Sequence, residues 1–228
     1  MRKSTRPVGA SGIALAVWAG LICDPAIAAA DAISSLPSPG TYALDHIQKV
    51  PFGIVLEGNH FPRLLSHYTL GKITLFSFFY TTCADPTGCP LTWSVFEDVR
   101  ERVLADPTLH GQVRLVFFSL DPAHDTPAML SILAANYKRD AANVPWYFLT
   151  TYSYRFLTPL LREMGEDISV DRDASTSGRP AFYHLLKAFL IDRQGWVREI
   201  YSNQSLEPAA IIGDIKTLLL GSERERKP

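Results

Sequence analysis

The chain has 228 residues, of which 47% are hydrophobic and 20% charged, and its net charge is −1. That length and mixture suit one globular domain with a sizeable core. The near-neutral balance gives no reason to expect a nucleic acid or an anionic surface as partner.

The N-terminus differs from the rest. Arg2, Lys3 and Arg6 precede an apolar stretch from about Gly9 to Cys23, and an Ala-rich segment ends at Asp31. A basic start, an apolar core and an Ala-x-Ala site read as a secretory signal peptide over residues 1–30, cleaved after Ala28 or Ala30. The apolar run falls short of the ~20 residues a spanning helix needs. Cys23 follows Gly20-Leu21-Ile22, which puts a bulky branched residue where a lipidation site wants a small one, so Cys23 leaves with the signal. The expected destination is the periplasm, an oxidising compartment, with membrane anchoring only if the signal stays attached. Two cysteines remain in the mature chain.

Residues 31–44 read as an extended lead-in, 45–221 as the folded domain and 222–228 as a charged, frayed tail. Ile73–Tyr80 is an almost continuous apolar, β-prone run, as expected of a strand covered on both faces. Leu91–Leu104 places Val95, Phe96, Val99 and Val103 on one helical face. Val113–Leu120 is a second buried strand. Asp121–Pro127 is a loop, in which Thr126-Pro127 forms an N-cap and first-turn pair for a helix carrying Leu130, Leu133, Ala134 and Tyr137. Val144–Thr150 is a third strand, and Thr158-Pro159 starts a short helix ending near Gly165. Leu185–Asp192 and Trp196–Tyr201 flank Arg193-Gln194-Gly195 as a hairpin. Ser205 and Pro208 open a last helix with Ile211, Ile212, Ile215, Leu218 and Leu219. This alternation predicts an α/β fold: a thioredoxin-like central sheet flanked by helices, with a C-terminal antiparallel hairpin.

Cys83 and Cys89 lie in Phe-Phe-Tyr-Thr-Thr-Cys-Ala-Asp-Pro-Thr-Gly-Cys-Pro, residues 78–90, where the first central strand runs into a loop and then a helix. Open α/β sheets place ligands and chemistry at that strand end. Two thiols there mean redox chemistry or a soft metal. A peroxidase motif is disfavoured, because Tyr80 and Pro86 stand where a Thr belongs three residues before the reactive cysteine. Structural zinc would want four protein ligands, and no third cysteine survives. A plain structural disulfide would gain roughly 2 kcal/mol from so short a loop.

Three segments together resemble the Sco/SenC family of copper metallochaperones in cytochrome c oxidase assembly. They are Phe-Tyr-Thr-Thr-Cys…Cys-Pro at 79–90, Ser-Leu-Asp-Pro-Ala-His-Asp-Thr-Pro at 119–127, and His184 before Leu-Leu-Lys-Ala-Phe-Leu-Ile-Asp-Arg-Gln-Gly at 185–195. The resemblance implies copper ligands at Cys83, Cys89 and His184, and a copper-enzyme client or another periplasmic copper carrier as partner. Membrane contact is implied only through a client or a retained signal. The chain departs from the family in one place: its cysteines are spaced Cys-x5-Cys-Pro where the family has Cys-x3-Cys-Pro. Two thiolates and an imidazole form a soft site that suits Cu(I), and Cu(II) with a tetragonal adjustment. Loop closure depends weakly on length, and Pro86 and Gly88 permit a turn.

The same thiols support a different reading, a thiol–disulfide oxidoreductase without metal, in which Cys83 attacks and Cys89 resolves. There the helix start at Cys89 would favour its thiolate. Asp85 reads as a solvated loop residue, Asp121, Asp125 and Thr126 as turn and cap chemistry, and Tyr80 and Trp93 as packing. His60 and His67 read as surface residues, and His110 as part of a helix end.

Overall fold

A computed structural model of the protein describes residues 36–58, 61–83, 85–171 and 181–226, with side chains as far as residue 222. The expected signal peptide, Cys23 and His60 lie outside the described residues. In chain order the elements begin with β1 (Gln48–Lys49), β2 (Ile54–Val55), β3 (Arg63–Leu64) and α1 (Ser66–Thr69). The central βαβαβ run follows: β4 (Ile73–Phe79), α2 (Cys89–Ala105), β5 (Val113–Ser119), α3 (Pro127–Ala135) and β6 (Trp146–Leu149). Then come α4 (Tyr154–Glu163), β7 (Ser169–Asp171), β8 (Ala181–Tyr183), β9 (Lys187–Ile191), β10 (Trp196–Ser202) and α5 (Pro208–Arg226).

The main sheet has the order β1-β10-β9-β4-β5-β6. β4, β5 and β6 are parallel, whereas β9 is antiparallel to β4 and pairs with β10 as the expected hairpin. All seven residues of β4 and all seven of β5 are buried, which accounts for their unbroken apolar runs. Polar side chains within these strands find carbonyls in place: the Ser77 hydroxyl donates to the Lys187 carbonyl at 2.8 Å, and the two terminal guanidinium nitrogens of Arg114 donate to the carbonyls of His67, at 2.9 Å, and Leu70. The β9–β10 turn closes because the Asp192 carboxylate accepts from the amides of Gln194 and Trp196, each at 2.9 Å, and because Gly195 takes φ +79°. α2 and α5 pack against each other and α3 packs on β6. Phe117, with no exposed surface, sits among Phe79, Phe96 and Trp146 at ring-centroid distances of 5.1, 4.6 and 5.1 Å.

Three boundaries differ from expectation. α2 begins at Cys89 rather than Leu91, with Gly88 as cap and Pro90 in the first turn, so the second thiol belongs to the helix. α4 begins at Tyr154, five residues before the proline expected to open it, and Pro159 lies inside. A proline there leaves the Arg155 carbonyl without its helical donor. Both residues are exposed, so solvent reaches that carbonyl, while Leu157, Leu160 and Leu161 hold the buried face. α5 runs to Arg226, into the segment expected to fray.

From Leu36 onward the lead-in is also more ordered than an extended arm. It turns at Ser38–Thr41 and docks on α5, where the Gly40 amide meets the Thr217 hydroxyl at 2.9 Å and the Tyr42 hydroxyl meets Asp214 at 2.6 Å. No helix among the described residues is long and apolar enough to cross a membrane.

The packing predicts its own weak point. Phe117→Ala should lower stability by ~3–5 kcal/mol, because it empties the centre of an aromatic cluster. Phe61, 92% exposed, should change stability by no more than ~0.5 kcal/mol when replaced by Ala. Urea unfolding of both variants checks the contrast.

Candidate metal centre

The cysteine loop leaves β4 at the carboxyl end of the parallel strands, and a carboxylate from the next strand's loop holds it there. Asp125 is 1% exposed. Its Oδ2 accepts from the Ser119 hydroxyl at 2.6 Å and from the Thr81 amide at 3.1 Å, and its Oδ1 accepts from the Thr81 hydroxyl. Asp121, equally buried, accepts from the Tyr154 hydroxyl at 2.7 Å and lies 2.7 Å from His124 Nδ1. Thr126 is the N-cap of α3, with Pro127 after it, as expected. The two aspartates do more than shape their own turn: Asp125 ties the exit of β5 to the exit of β4, and Asp121 ties the same loop to α4. Only the 44-residue separation of Thr81 from Asp125 conceals this.

Beyond Thr81 the chain turns so that the Cys83 amide meets the Tyr80 carbonyl at 3.2 Å. The long spacer then folds on itself. Asp85 Oδ1 accepts from the Thr87 amide at 3.0 Å and hydroxyl at 2.8 Å, and the Gly88 amide meets the Asp85 carbonyl at 3.0 Å. Asp85 is thus an exposed turn residue, its carboxyl held below the usual range chiefly by the Thr87 amide and hydroxyl. The turn absorbs the extra length and leaves the two thiols in contact.

Both cysteines are free thiols, Cys83 half-buried and Cys89 buried. The Cys83 sulfur accepts from the Cys89 thiol, from the amides of Cys89 and Asp85, and from the Tyr80 hydroxyl. These donors outweigh its partial burial and push Cys83 down to about 6, the Cys89 thiol being the largest cause. Cys89 moves the opposite way, because it donates to Cys83 and is buried. The helix start therefore acts on the other sulfur than expected: the Cys89 amide, first in α2, points at Cys83.

Tyr80, read from sequence as packing, also bridges to the strand before His184. Its hydroxyl donates to Cys83 and accepts from the Phe182 amide, and its ring stands edge-on to Phe182 at 4.9 Å. Burial pushes its own hydroxyl up. An aromatic run offers no sign of which hydroxyl will face a thiol, so only the structure singles it out.

β7 and β8 form a two-stranded ribbon, with Ser169 opposite Tyr183. His184 follows β8 and alternates with exposed neighbours: Tyr183 is 58% and Leu185 77% exposed, while the His184 side chain is 9% exposed. His184, Cys83 and Tyr80 line one cleft of ≈ 380 Å³. Cys83 and Cys89 together line a second of ≈ 180 Å³, beside Trp93. The two thiols are thus brought together and His184 lines the same cleft as Cys83, but among the described residues no three His, Cys, Asp or Glu side chains already surround a metal position. The donor types suit Cu(I). His67 is exposed, and His110 Nε2 lies 3.0 Å from the Leu104 carbonyl at the end of α2, so neither belongs to the site.

The SCO1/SenC family model matches residues 62–220. A SCO1 protein homolog of Bacillus subtilis is 28% identical over 148 residues, which cover 64% of this chain and 71% of that protein. Among solved structures, Bradyrhizobium japonicum ScoI with copper bound aligns with a TM-score of 0.60 at 19% identity, covering 75% of this chain and 99% of its own. BsSco, a Sco-family cytochrome c oxidase assembly protein in which a disulfide switch was identified, aligns with a TM-score of 0.57 at 24% identity, covering 78% and 98%. At these identities the structural likeness speaks for the fold.

The thiol geometry fixes a pH dependence. In the reduced, metal-free protein, alkylation of Cys83 should rise through about pH 6 and change little above pH ~7, whereas an unperturbed thiol rises near ~8.5. Cys89→Ala should move that inflection upward toward the ordinary value, and Tyr80→Phe should move it less, since the tyrosine hydroxyl contributes least of these donors. Thiolate absorbance against pH measures both, and an inflection unmoved in Cys89→Ala would refute the assignment. Stability follows by linkage. Between about pH 6 and ~8.5 the unfolded Cys83 holds a proton that the folded one has lost, so the reduced fold gains stability as pH rises across that window. Above ~8.5 the raised Cys89 reverses the trend.

Proposed function

The chain belongs to the SCO1/SenC family, and from that premise we propose that it is a periplasmic copper metallochaperone whose cargo is held by Cys83, Cys89 and His184. It acts after loss of residues 1–30 and passes copper to a copper enzyme such as cytochrome c oxidase, or exchanges it with another periplasmic carrier. The observation that carries this reading is the placement of a thiolate-prone Cys83 in contact with Cys89 on one side and across a single cleft from His184 on the other. Copper is the substrate here, and the chain's own residues supply a soft, low-coordinate donor set. Cys83 needs little deprotonation at neutral pH, while Cys89 gives up its proton on binding, so uptake releases protons.

A second reading has its own support. A half-buried thiol near about 6 with a buried partner thiol is the arrangement of an attacking and a resolving cysteine. Thiol–disulfide exchange would reduce a client's cysteines before metallation and would be indifferent to His184.

Titration of the reduced protein with Cu(I) against a chromophoric chelator separates the two. The expected result is one Cu(I) per chain, lost in Cys83→Ser and in Cys89→Ser. His184→Ala should weaken binding by more than the ~10–100-fold that removal of an outer partner costs. A reduced protein that ignores copper yet exchanges disulfides with a dithiol would leave only the second reading.

A further inference from the structure

Glu166 places a carboxylate in a buried position among the described residues. It follows Gly165, which takes φ +68° and ends α4 in a Schellman motif: the Gly165 amide meets the Arg162 carbonyl at 3.1 Å, and the Glu166 amide meets the Leu161 carbonyl at 2.8 Å. The position after the left-handed glycine folds back on the helix and ordinarily carries an apolar side chain. Here it carries a carboxylate, and the residue is 7% exposed. Among the described residues neither carboxylate oxygen has a hydrogen-bond partner. A buried, unpaired carboxylate is costly in any fold.

His184 lies beside it. His184 Nδ1 lies 3.8 Å from Glu166 Oε2, and their side chains are 9% and 1% exposed. The two residues stand at the two feet of the β7–β8 ribbon, Glu166 just before β7 and His184 just after β8. The same Nδ1 is 3.2 Å from the Leu185 carbonyl. A carbonyl and a carboxylate only accept, so Nδ1 between them carries the proton. In the neutral ring Nε2 then holds the free lone pair. Asp85 also acts on His184 across the cleft, but its Oδ1 is engaged by Thr87.

We propose that Glu166 is a positioning residue for His184: its buried carboxylate takes the Nδ1–H of the imidazole and so fixes the tautomer that offers Nε2 to the cysteine pair. A small turn of the ring away from the Leu185 carbonyl brings Nδ1 within hydrogen-bond reach of Oε2. Histidines that ligate metals donate their other N–H to just such a carboxylate, which raises their basicity and sets the ring plane. The inference rests on the copper reading and adds a residue to it.

The test uses the reduced full-length mature protein, with Glu166→Leu, Glu166→Gln and His184→Ala. Glu166→Leu should fold at least as stably as wild type, because it restores an apolar side chain behind the glycine, and should bind Cu(I) ~10–100-fold more weakly. Glu166→Gln, whose amide oxygen still accepts from Nδ1–H, should stay close to wild type. In the metal-free protein, nitrogen-15 spectra of His184 should show the Nδ1–H tautomer in wild type and a shift toward Nε2–H in Glu166→Leu. In the His184→Ala background, Glu166→Leu should weaken binding no further. A wild-type Nε2–H tautomer, an undiminished affinity in Glu166→Leu, or an equal loss with and without His184 each overturns the proposal while leaving copper binding intact. Wild-type protein that takes up no copper overturns the metallochaperone reading and this one with it.

Discussion

The carboxylate of Asp125 is the constraint on which the site depends. A buried carboxylate must find donors, and those within its reach come from the ends of two neighbouring strands: Ser119 closing β5 and Thr81 just past β4. Satisfying it pins the two strand exits together, and the segment that follows Thr81 is the cysteine loop. The sheet supplies a rigid platform of fully buried β4 and β5, but a platform alone leaves the direction of the departing chain open. The aspartate settles that direction. Asp121 extends the same logic to α4 through Tyr154, and the glycine cap that ends α4 leads into Glu166, which lies beside His184. The two halves of the site thus hang from one short loop after β5.

Within the site the asymmetry of the thiols follows from where α2 begins. Cys89 is its first residue, buried at the helix base, so its amide and its thiol both point toward Cys83. A thiol that donates is held protonated, and a sulfur that accepts is eased toward thiolate. One residue later in the helix start and the donor would be lost; this is why the boundary at Cys89, rather than at Leu91, has chemical meaning. Tyr80 adds a further donor and, by accepting from Phe182, couples the state of Cys83 to the ribbon that carries His184.

The strands and the order of the elements were legible because their signals are local. Continuous apolar runs marked β4 and β5, Thr126-Pro127 marked the start of α3, and Gly195 marked the hairpin. Pro159 reads locally as a helix opener, but the apolar stripe of Leu157, Leu160 and Leu161 tolerates it on the exposed side, so α4 begins earlier. Of the candidate site, Cys83, Cys89 and His184 are legible only as residue types in motifs. The side chains that join them are not. Asp125 reaches 44 residues back to Thr81, Tyr80 sits in a run of aromatics, and Glu166 looks like any charged residue after a helix. Their roles arise from tertiary neighbours, which no local pattern carries.

Lengthening a loop between two ligands would scatter them if the added residues were free. Here Asp85 closes a tight turn on Thr87 and Gly88, so the added chain bulges outward and the effective span between the thiols stays short. The loop's anchors lie outside the insertion: Asp125 holds its entry and the first turn of α2 holds its exit. An insertion between two fixed anchors changes what the loop shows to a partner more than what it places at the sulfurs. Asp85 and Thr87, which line the cleft beside Cys83 and His184, are therefore the residues through which this chain's longer loop bears on what can approach the site.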